Sequence, residues 1–182
     1  MIYTGIGSRG TPKDILQEME YIGEYLAIKN YILRSGNARG ADTAFANGCD
    51  KVSGMSEIYL PFKNFGVNKR NTILVTDEKI LKYAFDIAKS VKPKDYIWSS
   101  KNKPYHTRNV FQILGYHLTK PTDFVICWTS TGAESHKECI ERKEISGTSL
   151  AISVASMFEI PVINMFNSDW EKRFLKIIDE YL

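Results

Sequence analysis

The sequence has few cysteines and no long apolar run. Its three cysteines form no CxxC pair, which argues against a disulfide framework and against a zinc ribbon; they are Cys49, Cys127 and Cys139. No apolar run reaches the roughly 18 residues that a membrane span needs, so no membrane partner is expected. The first residues lack the basic head and apolar stretch of a secretory signal. Together these absences predict a protein of the reducing cytoplasm.

The charge balance is too small to indicate a polyanionic partner. Lysine and arginine total 24 against 21 aspartates and glutamates, a net charge of +3, and so mild an excess does not by itself indicate nucleic acid. No GxxxxGK[ST] motif occurs, which argues against Walker-type hydrolysis of a nucleoside triphosphate. His117 is isolated, and His136 forms only an HxxC pair with Cys139. We therefore expect no metal site and no cofactor.

Short apolar runs alternate with amphipathic stretches along the whole chain. Strands are predicted at Met1 to Thr4, Tyr31 to Leu33, Glu57 to Leu60, Asp123 to Trp128 and Pro161 to Asn164. Helices are predicted from a cap at Thr11-Pro12 to about Lys29, and at Ala41 to Gly48, Asp77 to Ser90, His106 to Leu118, Thr148 to Phe158 and Trp170 to Leu182. Lys63 to Thr76 and Val91 to Tyr105 are predicted to be irregular.

Strands that are separated by helices pair in parallel, because a parallel connection needs a crossover. The pattern therefore predicts an α/β fold, a Rossmann-like open and mostly parallel sheet with helices on both faces. A length of 182 residues fits a single domain over residues 1–182.

Three glycine-rich turns lie where such sheets bind ligands. The first is Gly5-Ile6-Gly7-Ser8-Arg9-Gly10, a GxGxxG pattern between a strand and a helix; the second is Ser35-Gly36-Asn37-Ala38-Arg39-Gly40-Ala41-Asp42; the third is Ser146-Gly147-Thr148-Ser149, which opens a helix. Glycine permits close backbone approach to a phosphate, and a helix N-terminus offers free N–H groups. Any one of these is equally well a plain tight turn, but the three together predict a nucleotide-like or phosphorylated ligand.

Each candidate site residue has an expected role in holding that ligand, and no catalytic residue is assigned. Close backbone approach is expected at Gly5, Gly7, Gly36, Gly40 and Gly147, and hydroxyl contacts at Ser8, Ser35 and Thr148. Phosphate neutralisation is expected from Arg9, Arg39 and Arg108, whose planar guanidinium groups bind oxyanions bidentately. Asp42 either caps a helix or holds a ribose, and Asn109 orders the site by hydrogen bonding. His106 either reaches a phosphate or, as we favour, lies on the surface at a helix start.

A nicotinamide oxidoreductase is disfavoured. The NAD-binding pattern places an acidic residue at the end of the second strand, whereas here that strand ends Leu33-Arg34-Ser35. Arg34 is suited instead to a 2′-phosphate, but the glycine turn that follows it is foreign to that pattern.

As a set, these motifs resemble the SLOG superfamily, the Rossmann-like proteins related to DprA and Lonely Guy. SGNARGAD resembles the S-G-x-A-x-G-x-D loop of the DNA-processing protein A family, and Tyr105-His106-Thr107-Arg108-Asn109 resembles its R-N signature. Ser146-Gly147-Thr148 with Ala151 resembles its late helix start. The match is closer to compact DprA-like proteins, many of them phage-encoded, and runs from Gly5 to Asn164, about nine tenths of the chain.

The resemblance implies a nucleotide-derived small-molecule ligand, with an NAD-derived or cyclic ADP-ribose-type signal as the leading expectation. It further implies a phage anti-defence protein that sequesters the signal without turnover, in the host cytoplasm, as a homo-oligomer. One alternative is a phosphoribohydrolase of the Lonely Guy type, which cleaves an N-glycosidic bond. The other is a DprA-like accessory protein for single-stranded DNA or for recombinase. A nucleic-acid partner is less expected than the small molecule.

Both alternatives depend on particular residues. Lonely Guy hydrolases carry a carboxylate just inside the late helix, and none stands in the run from Ile145 to Ile152; the glutamates upstream, Glu134, Glu138, Glu141 and Glu144, are expected to be solvated. Single-strand binding would use the basic loop, whose cations are Lys92, Lys94, Lys101, Lys103 and Arg108 and whose aromatic residues are Tyr96, Trp98 and Tyr105. The connection from Thr129 to Ser146 is long, and we expect it to close over the ligand as a lid.

Overall fold

In a computed structural model that describes residues 1–66 and 70–180, six strands form one all-parallel sheet. The strands are β1 (Ile2–Gly5), β2 (Ile32–Ser35), β3 (Ser56–Tyr59), β4 (Thr72–Ile73), β5 (Phe124–Cys127) and β6 (Val162–Asn164). Their order across the sheet is β4-β3-β2-β1-β5-β6. The predicted α/β class with an open parallel sheet is therefore confirmed.

Seven helices occur within the described ranges. They are α1 (Lys13–Ile28), α2 (Ala41–Lys51), α3 (Glu78–Ser90), α4 (Lys103–Leu114), α5 (His136–Glu141), α6 (Gly147–Met157) and α7 (Trp170–Glu180). Buried residues of α1, α2 and α7 form one apolar core with the sheet, and those of α3 to α6 form a second core. The sheet thus carries helices on both faces, as predicted.

The buried strand β5 illustrates why the apolar pattern predicts this architecture. Its side chains alternate between the cores: Phe124 and Ile126 belong to the core with α1, whereas Val125 and Cys127 belong to the core with α4. A strand that is covered on both faces has no polar side, so its sequence is a continuous apolar run. Cys127 is fully buried, in agreement with its predicted place in the core.

The order in which the chain builds the sheet creates a crevice beside β1. Strands β1 to β4 are added outward in one direction, and the chain then returns to place β5 on the other side of β1. Ligands of open α/β sheets bind at such a reversal, outside the carboxyl ends of the strands. The first glycine turn follows β1 directly and therefore lies at this crevice.

Helix α4 departs most from its predicted boundaries. It begins at Lys103 rather than at His106, with Pro104 in its first turn, and ends at Leu114, where Gly115 has a φ of +75°. Proline is tolerated in a first turn, since the N–H it lacks would have no partner there. His117 consequently lies beyond the helix, contrary to the prediction.

Smaller differences concern the other segments. The stretch predicted as irregular from Lys63 to Thr76 contains β4, which pairs in parallel with β3 at the edge of the sheet; residues 67–69 of it lie outside the described residues, as do 181–182 of the predicted last helix. Thr11 does not cap α1: Pro12 occupies the N-cap position, and the Thr11 hydroxyl donates to the Ser8 carbonyl oxygen at 2.7 Å. No helix of the described residues is long and apolar enough to cross a membrane.

Candidate ligand-binding site

A cavity of about 470 Å³ opens at the crevice beside β1. It is enclosed by the loop after β1, the start of α2, one face of α4 and the N-terminus of α6. Its lining residues are Ile6, Gly7, Ser8, Arg9, Ala38, Asp42, Phe65, Tyr96, Asn102, Tyr105, His106, Arg108, Asn109, Gln112, Ile145, Ser146, Gly147, Thr148 and Ala151. A volume of this size lies in the usual range of about 300–1,000 Å³ for small-molecule sites.

The loop after β1 supplies three of the predicted residues, Gly7, Ser8 and Arg9. Two hydrogen bonds of Ser8 fix the position of this loop. The Ser8 N–H donates to the Trp128 carbonyl oxygen at 3.0 Å, and the Ser8 carbonyl oxygen accepts from the Thr11 hydroxyl. Arg9 is exposed at the mouth of the cavity. Its guanidinium group is therefore available to an anion that enters from solvent.

The N-terminus of α6 supplies Gly147 and Thr148. Ser146 stands at the N-cap, yet its side chain makes no capping hydrogen bond, and the first turn contains no acidic residue. The N-terminal end of a helix carries partial positive charge and unpaired N–H groups, which favour an anion. Asn109 donates from Nδ2 to the Gly147 carbonyl oxygen at 2.8 Å and so ties this end to α4, which is the ordering contact predicted for it.

Arg108 and Asp42 form a buried ion pair in the cavity wall. Arg108 Nη1 lies 3.7 Å from Asp42 Oδ2 and also donates to the Gly36 carbonyl oxygen. Burial raises the pKa of Asp42 while Arg108 lowers it, and burial lowers the pKa of Arg108 while Asp42 raises it. The charge of Arg108 is therefore largely balanced inside the protein. Asp42 is not the N-cap of α2, a position held by Gly40, so the capping role is wrong; a contact with ribose stays a prediction.

The cavity wall contains a set of buried polar atoms without hydrogen-bond partners. Six such side-chain atoms occur among the described residues, and four of them belong to residues that line this one cavity. The four are His106 Nδ1, Arg108 Nε, Gln112 Nε2 and Ser146 Oγ. Buried polar groups are nearly always hydrogen-bonded in folded proteins. Two thirds of these exceptions therefore lie in the wall of one cavity.

Aromatic side chains form another part of the lining. Tyr105 lies edge-on to Phe65, with ring centroids 5.6 Å apart, and the Tyr96 hydroxyl lies 2.8 Å from His106 Nε2. His106 is only 8% exposed, so the favoured prediction of a surface histidine was wrong. Burial, and to a smaller extent Lys92, lowers the pKa of His106 to about 4. The imidazole is therefore neutral near pH 7.

Five predicted residues lie outside the cavity lining: Gly5, Ser35, Gly36, Arg39 and Gly40. The Ser35 hydroxyl donates to the Gly5 carbonyl oxygen at 2.7 Å and joins β2 to β1. A Cβ at Gly5 would stand 2.6 Å from the Phe45 ring, and a Cβ at Gly36 would overlap the Arg108 guanidinium. The close approaches at these two glycines are thus to protein groups. Gly40 has a φ of +93° and begins α2.

Arg39 faces a different groove, between α1 and α2. The residues around this groove include Leu16, Gln17 and Asn47. Arg9 and Arg39 occupy comparable positions in two glycine turns, but only the first of them reaches the cavity. Arg34, considered above for a 2′-phosphate, is 1% exposed and binds Glu57 at 2.7 Å, so it is committed to the interior.

Several lining residues were not predicted as ligand contacts, among them Phe65, Asn102 and Gln112. Asn109 and Gln112 are three residues apart and lie one turn apart on the same face of α4. That spacing is visible in the sequence, so Gln112 follows from Asn109 once the helix is placed. Phe65 lies in a loop and carries no periodic signal.

The glutamates before α6 bind other protein groups, and Glu144 is buried, so the expectation of a solvated side chain was wrong for Glu144. Glu134 lies 2.6 Å from Arg173, Glu138 lies 2.6 Å from Arg142, and Glu141 lies 3.7 Å from Lys137. Glu144 accepts from the Thr131 hydroxyl and from the Ser146 N–H; burial raises its pKa, but these hydrogen bonds outweigh the burial and lower it overall. From the predicted lid, Thr129 to Ser146, only Ile145 and Ser146 border the cavity, and its closure stays a prediction.

The chain matches no protein-family model, no curated protein and no solved structure. Among the residues that the structure describes, no group of three His, Cys, Asp or Glu side chains is placed to hold a metal ion. The three cysteines are free and buried. The chemistry of the cavity itself is therefore the evidence on function.

Proposed function

We propose that this protein binds a nucleotide-derived small molecule, of the NAD-derived or cyclic ADP-ribose class, and holds it without turnover. The observation that carries the proposal is the cavity at the β1–β5 reversal, where four buried polar atoms without partners meet an uncapped helix N-terminus. The resemblance to SLOG proteins suggests the class of ligand, and the lining suggests how each part of it is held.

The phosphate groups fit the part of the lining that offers charge and N–H donors. Arg9 at the mouth and the first turn of α6 provide a cation and a helix N-terminus for one oxyanion. Ser8 and Thr148 add hydroxyls, which donate to phosphate oxygens. The net charge of +3 then reflects, in part, cations that bind a small anion.

The nucleobase fits the aromatic part of the lining. Phe65, Tyr96 and Tyr105 present ring surfaces and edges, against which a flat heterocycle packs. The ribose lies between base and phosphate, where Asp42 and Asn109 offer hydrogen-bond acceptors and donors. In this arrangement every chemical part of a nucleotide has matching groups in the cavity.

Binding without turnover is favoured because the cavity offers no free carboxylate. Asp42 is the only acidic residue among the described lining residues, and it is paired with Arg108. Hydrolysis of an N-glycosidic bond passes through an oxocarbenium-like transition state, which a nearby carboxylate stabilises. The Lonely Guy alternative therefore has less support than sequestration, the role that a phage anti-defence protein would have in the host cytoplasm.

The DNA alternative has less support because Trp98, one of the three aromatic residues of the basic loop, packs within the protein and is not part of the cavity lining. Trp98 contacts Phe85, Tyr96 and His106, with ring centroids 4.9, 4.8 and 5.4 Å away. Bases of a single strand stack on exposed aromatic faces, and this indole is engaged within the protein. Homo-oligomerisation is expected from the resemblance alone.

Incubation with a nucleotide panel tests the proposal. The protein is mixed with NAD, AMP, ADP-ribose and cyclic ADP-ribose, washed, denatured, and the released molecules are identified by mass spectrometry. We expect at least one member of the panel to be captured and released intact. An altered product would favour the hydrolase, and no capture together with salt-sensitive binding of an oligonucleotide would favour the DNA alternative.

Two matched arginine variants locate the captured molecule. Arg9→Ala removes the cation at the cavity mouth and should weaken binding by about 10- to 150-fold, the range for a hydrogen bond to a charged group. Arg39→Ala removes a comparable arginine outside the cavity and should leave affinity unchanged. Equal losses in both variants would contradict the assigned site.

A further inference from the structure

His106 is held in one orientation by its surroundings in the cavity wall. Its ring lies edge-on to Tyr96 and Trp98, with centroids 5.6 and 5.4 Å away, and Nε2 is 2.8 Å from the Tyr96 hydroxyl. The side chain is more than nine tenths buried, and Nδ1 has no partner among the described residues. One ring nitrogen is thus fixed by the protein, and the other is left for a ligand.

The hydrogen-bond network favours one position for the proton on the imidazole ring. Asn102 Oδ1 accepts from the Ser99 N–H at 2.8 Å, so the amide nitrogen of Asn102 is the group that faces the Tyr96 hydroxyl, at 3.5 Å. An amide nitrogen only donates, so His106 Nε2 is the acceptor that the described residues offer to the Tyr96 proton. In the neutral imidazole Nδ1 therefore bears the hydrogen and is an unpaired donor.

We propose that His106 determines ligand specificity: its Nδ1–H donates to an acceptor atom of the nucleobase, a ring nitrogen or a carbonyl oxygen. This inference rests on the proposed function and deepens it. The donor is neutral and packs against the rings of Tyr96 and Trp98, and the nearby cation, Lys92, is not part of the cavity lining. The lining groups suited to an anion are instead Arg9 and the N-terminus of α6. An acceptor on an uncharged heterocycle matches that environment better than a phosphate oxygen does.

The hydroxyl of Tyr96 gives this residue a positioning role. Tyr96 contacts the ring at Nε2 and does not need to touch the ligand to act. Without its hydroxyl, the proton of His106 is free to move to Nε2, and Nδ1 becomes an acceptor in part of the population. Loss of the Tyr96 hydroxyl should therefore weaken recognition of the base while the cavity keeps its shape.

Calorimetric titrations of three variants test this inference with probes that contain or lack a base. The base-containing probes are AMP, ADP-ribose and cyclic ADP-ribose, and the base-free probe is ribose 5-phosphate. His106→Leu removes the donor and should weaken the binding of base-containing probes by about tenfold or more, because the acceptor atom of the base loses its hydrogen-bond partner. His106→Asn keeps an N–H close to the position of Nδ1 and should stay within about threefold of the wild type.

Two further results are expected from the same titrations. The affinity of Tyr96→Phe for the base-containing probes should lie between the affinities of His106→Asn and His106→Leu. None of the three variants should change the affinity for ribose 5-phosphate. Thermal unfolding of each variant, measured without a ligand, establishes that the fold is retained.

The outcomes separate this inference from the proposed function. If a base-containing probe binds but His106→Leu and His106→Asn weaken it equally, or His106→Leu leaves it unchanged, the inference is overturned and the proposed function stands. An equal loss for ribose 5-phosphate also overturns it, since the contact would then be to the ribose phosphate. If the wild type binds none of the base-containing probes, the proposed function itself fails and the inference falls with it.

Discussion

At the scale of single residues, the cavity wall contains groups that folding leaves without partners. His106, Gln112 and Ser146 each bury a polar atom that makes no hydrogen bond among the described residues. Such groups cost free energy in the folded protein unless something bound supplies the missing contact, on the order of 1–3 kcal/mol for each. Such unpaired groups are typical of a binding site whose polar atoms form their hydrogen bonds with the ligand.

The low pKa of His106 predicts that acid destabilises the protein. Burial, with a contribution from Lys92, lowers this pKa from 6.5 to about 4, so between these values the unfolded chain binds a proton that the folded chain does not. Stability therefore falls as the pH decreases through this window, by about 2–3 kcal/mol between pH 7 and pH 4.5. Urea unfolding at these two pH values measures the loss.

The control for this prediction is His106→Asn, which removes the titrating group and keeps a polar side chain. The free energy of unfolding of the variant should fall by about 2–3 kcal/mol less than that of the wild type over the same pH interval. Equal losses in the two proteins would show that His106 titrates normally in the folded state.

At the scale of elements, α1 and α2 pack unusually close together. Gly23 on α1 and Gly48 on α2 form the contact: a Cβ at Gly23 would overlap the Phe45 carbonyl oxygen, and a Cβ at Gly48 would overlap the Glu20 carbonyl oxygen. In both places the obstacle is backbone, which cannot rotate away. The spacing of the two helices therefore depends on these glycines.

Gly48→Ala should destabilise the protein by about 1–3 kcal/mol, because the added methyl group forces α2 away from α1. Gly147→Ala is the matched control within another helix, since a Cβ at Gly147 has no heavy atom within 4 Å, and it should change stability by less than about 1 kcal/mol. Urea unfolding of both variants measures the difference. A loss for Gly147→Ala as large as that for Gly48→Ala would contradict this account of the packing.

The elements also show which parts of the fold a sequence reveals. Strand β5 was predictable because burial on both faces makes Phe124 to Cys127 continuously apolar. Strand β4 was not, since a two-residue edge strand has no periodicity. The start of α4 was missed because Pro104 was interpreted as part of a loop, although its position in the first turn is one that proline favours.

The candidate site was predictable only in part, for a reason that concerns topology. Arg9 and Arg39 stand in similar glycine turns, and the sequence alone gives them equal claims to a phosphate. The strand order separates them: β1 borders the reversal with β5, whereas β2 lies one strand further away. Likewise, Gln112 reaches the cavity because α4 crosses the crevice, a tertiary arrangement that no local pattern contains.

At the scale of the whole molecule, one reversal of strand order brings together segments that are distant in sequence. The loop after β1 and the start of α4 are about 100 residues apart in the sequence, and the N-terminus of α6 follows about 40 residues later. All three nevertheless enclose one cavity beside β1. Charge, hydrogen-bond donors and aromatic rings meet in that cavity. We propose that a nucleotide-type ligand binds there.

The measurement that tests this claim most directly is a calorimetric titration of AMP, ADP-ribose and cyclic ADP-ribose into the wild type and into Gly147→Leu. Gly147 lines the cavity, and a Cβ there has no heavy atom within 4 Å, so we expect a leucine to leave the fold intact and to narrow the cavity at the N-terminus of α6. We expect at least one of the three nucleotides to bind the wild type at one per chain, and none to bind the folded variant. Equal affinity for both proteins, or no binding to the wild type, would contradict the claim.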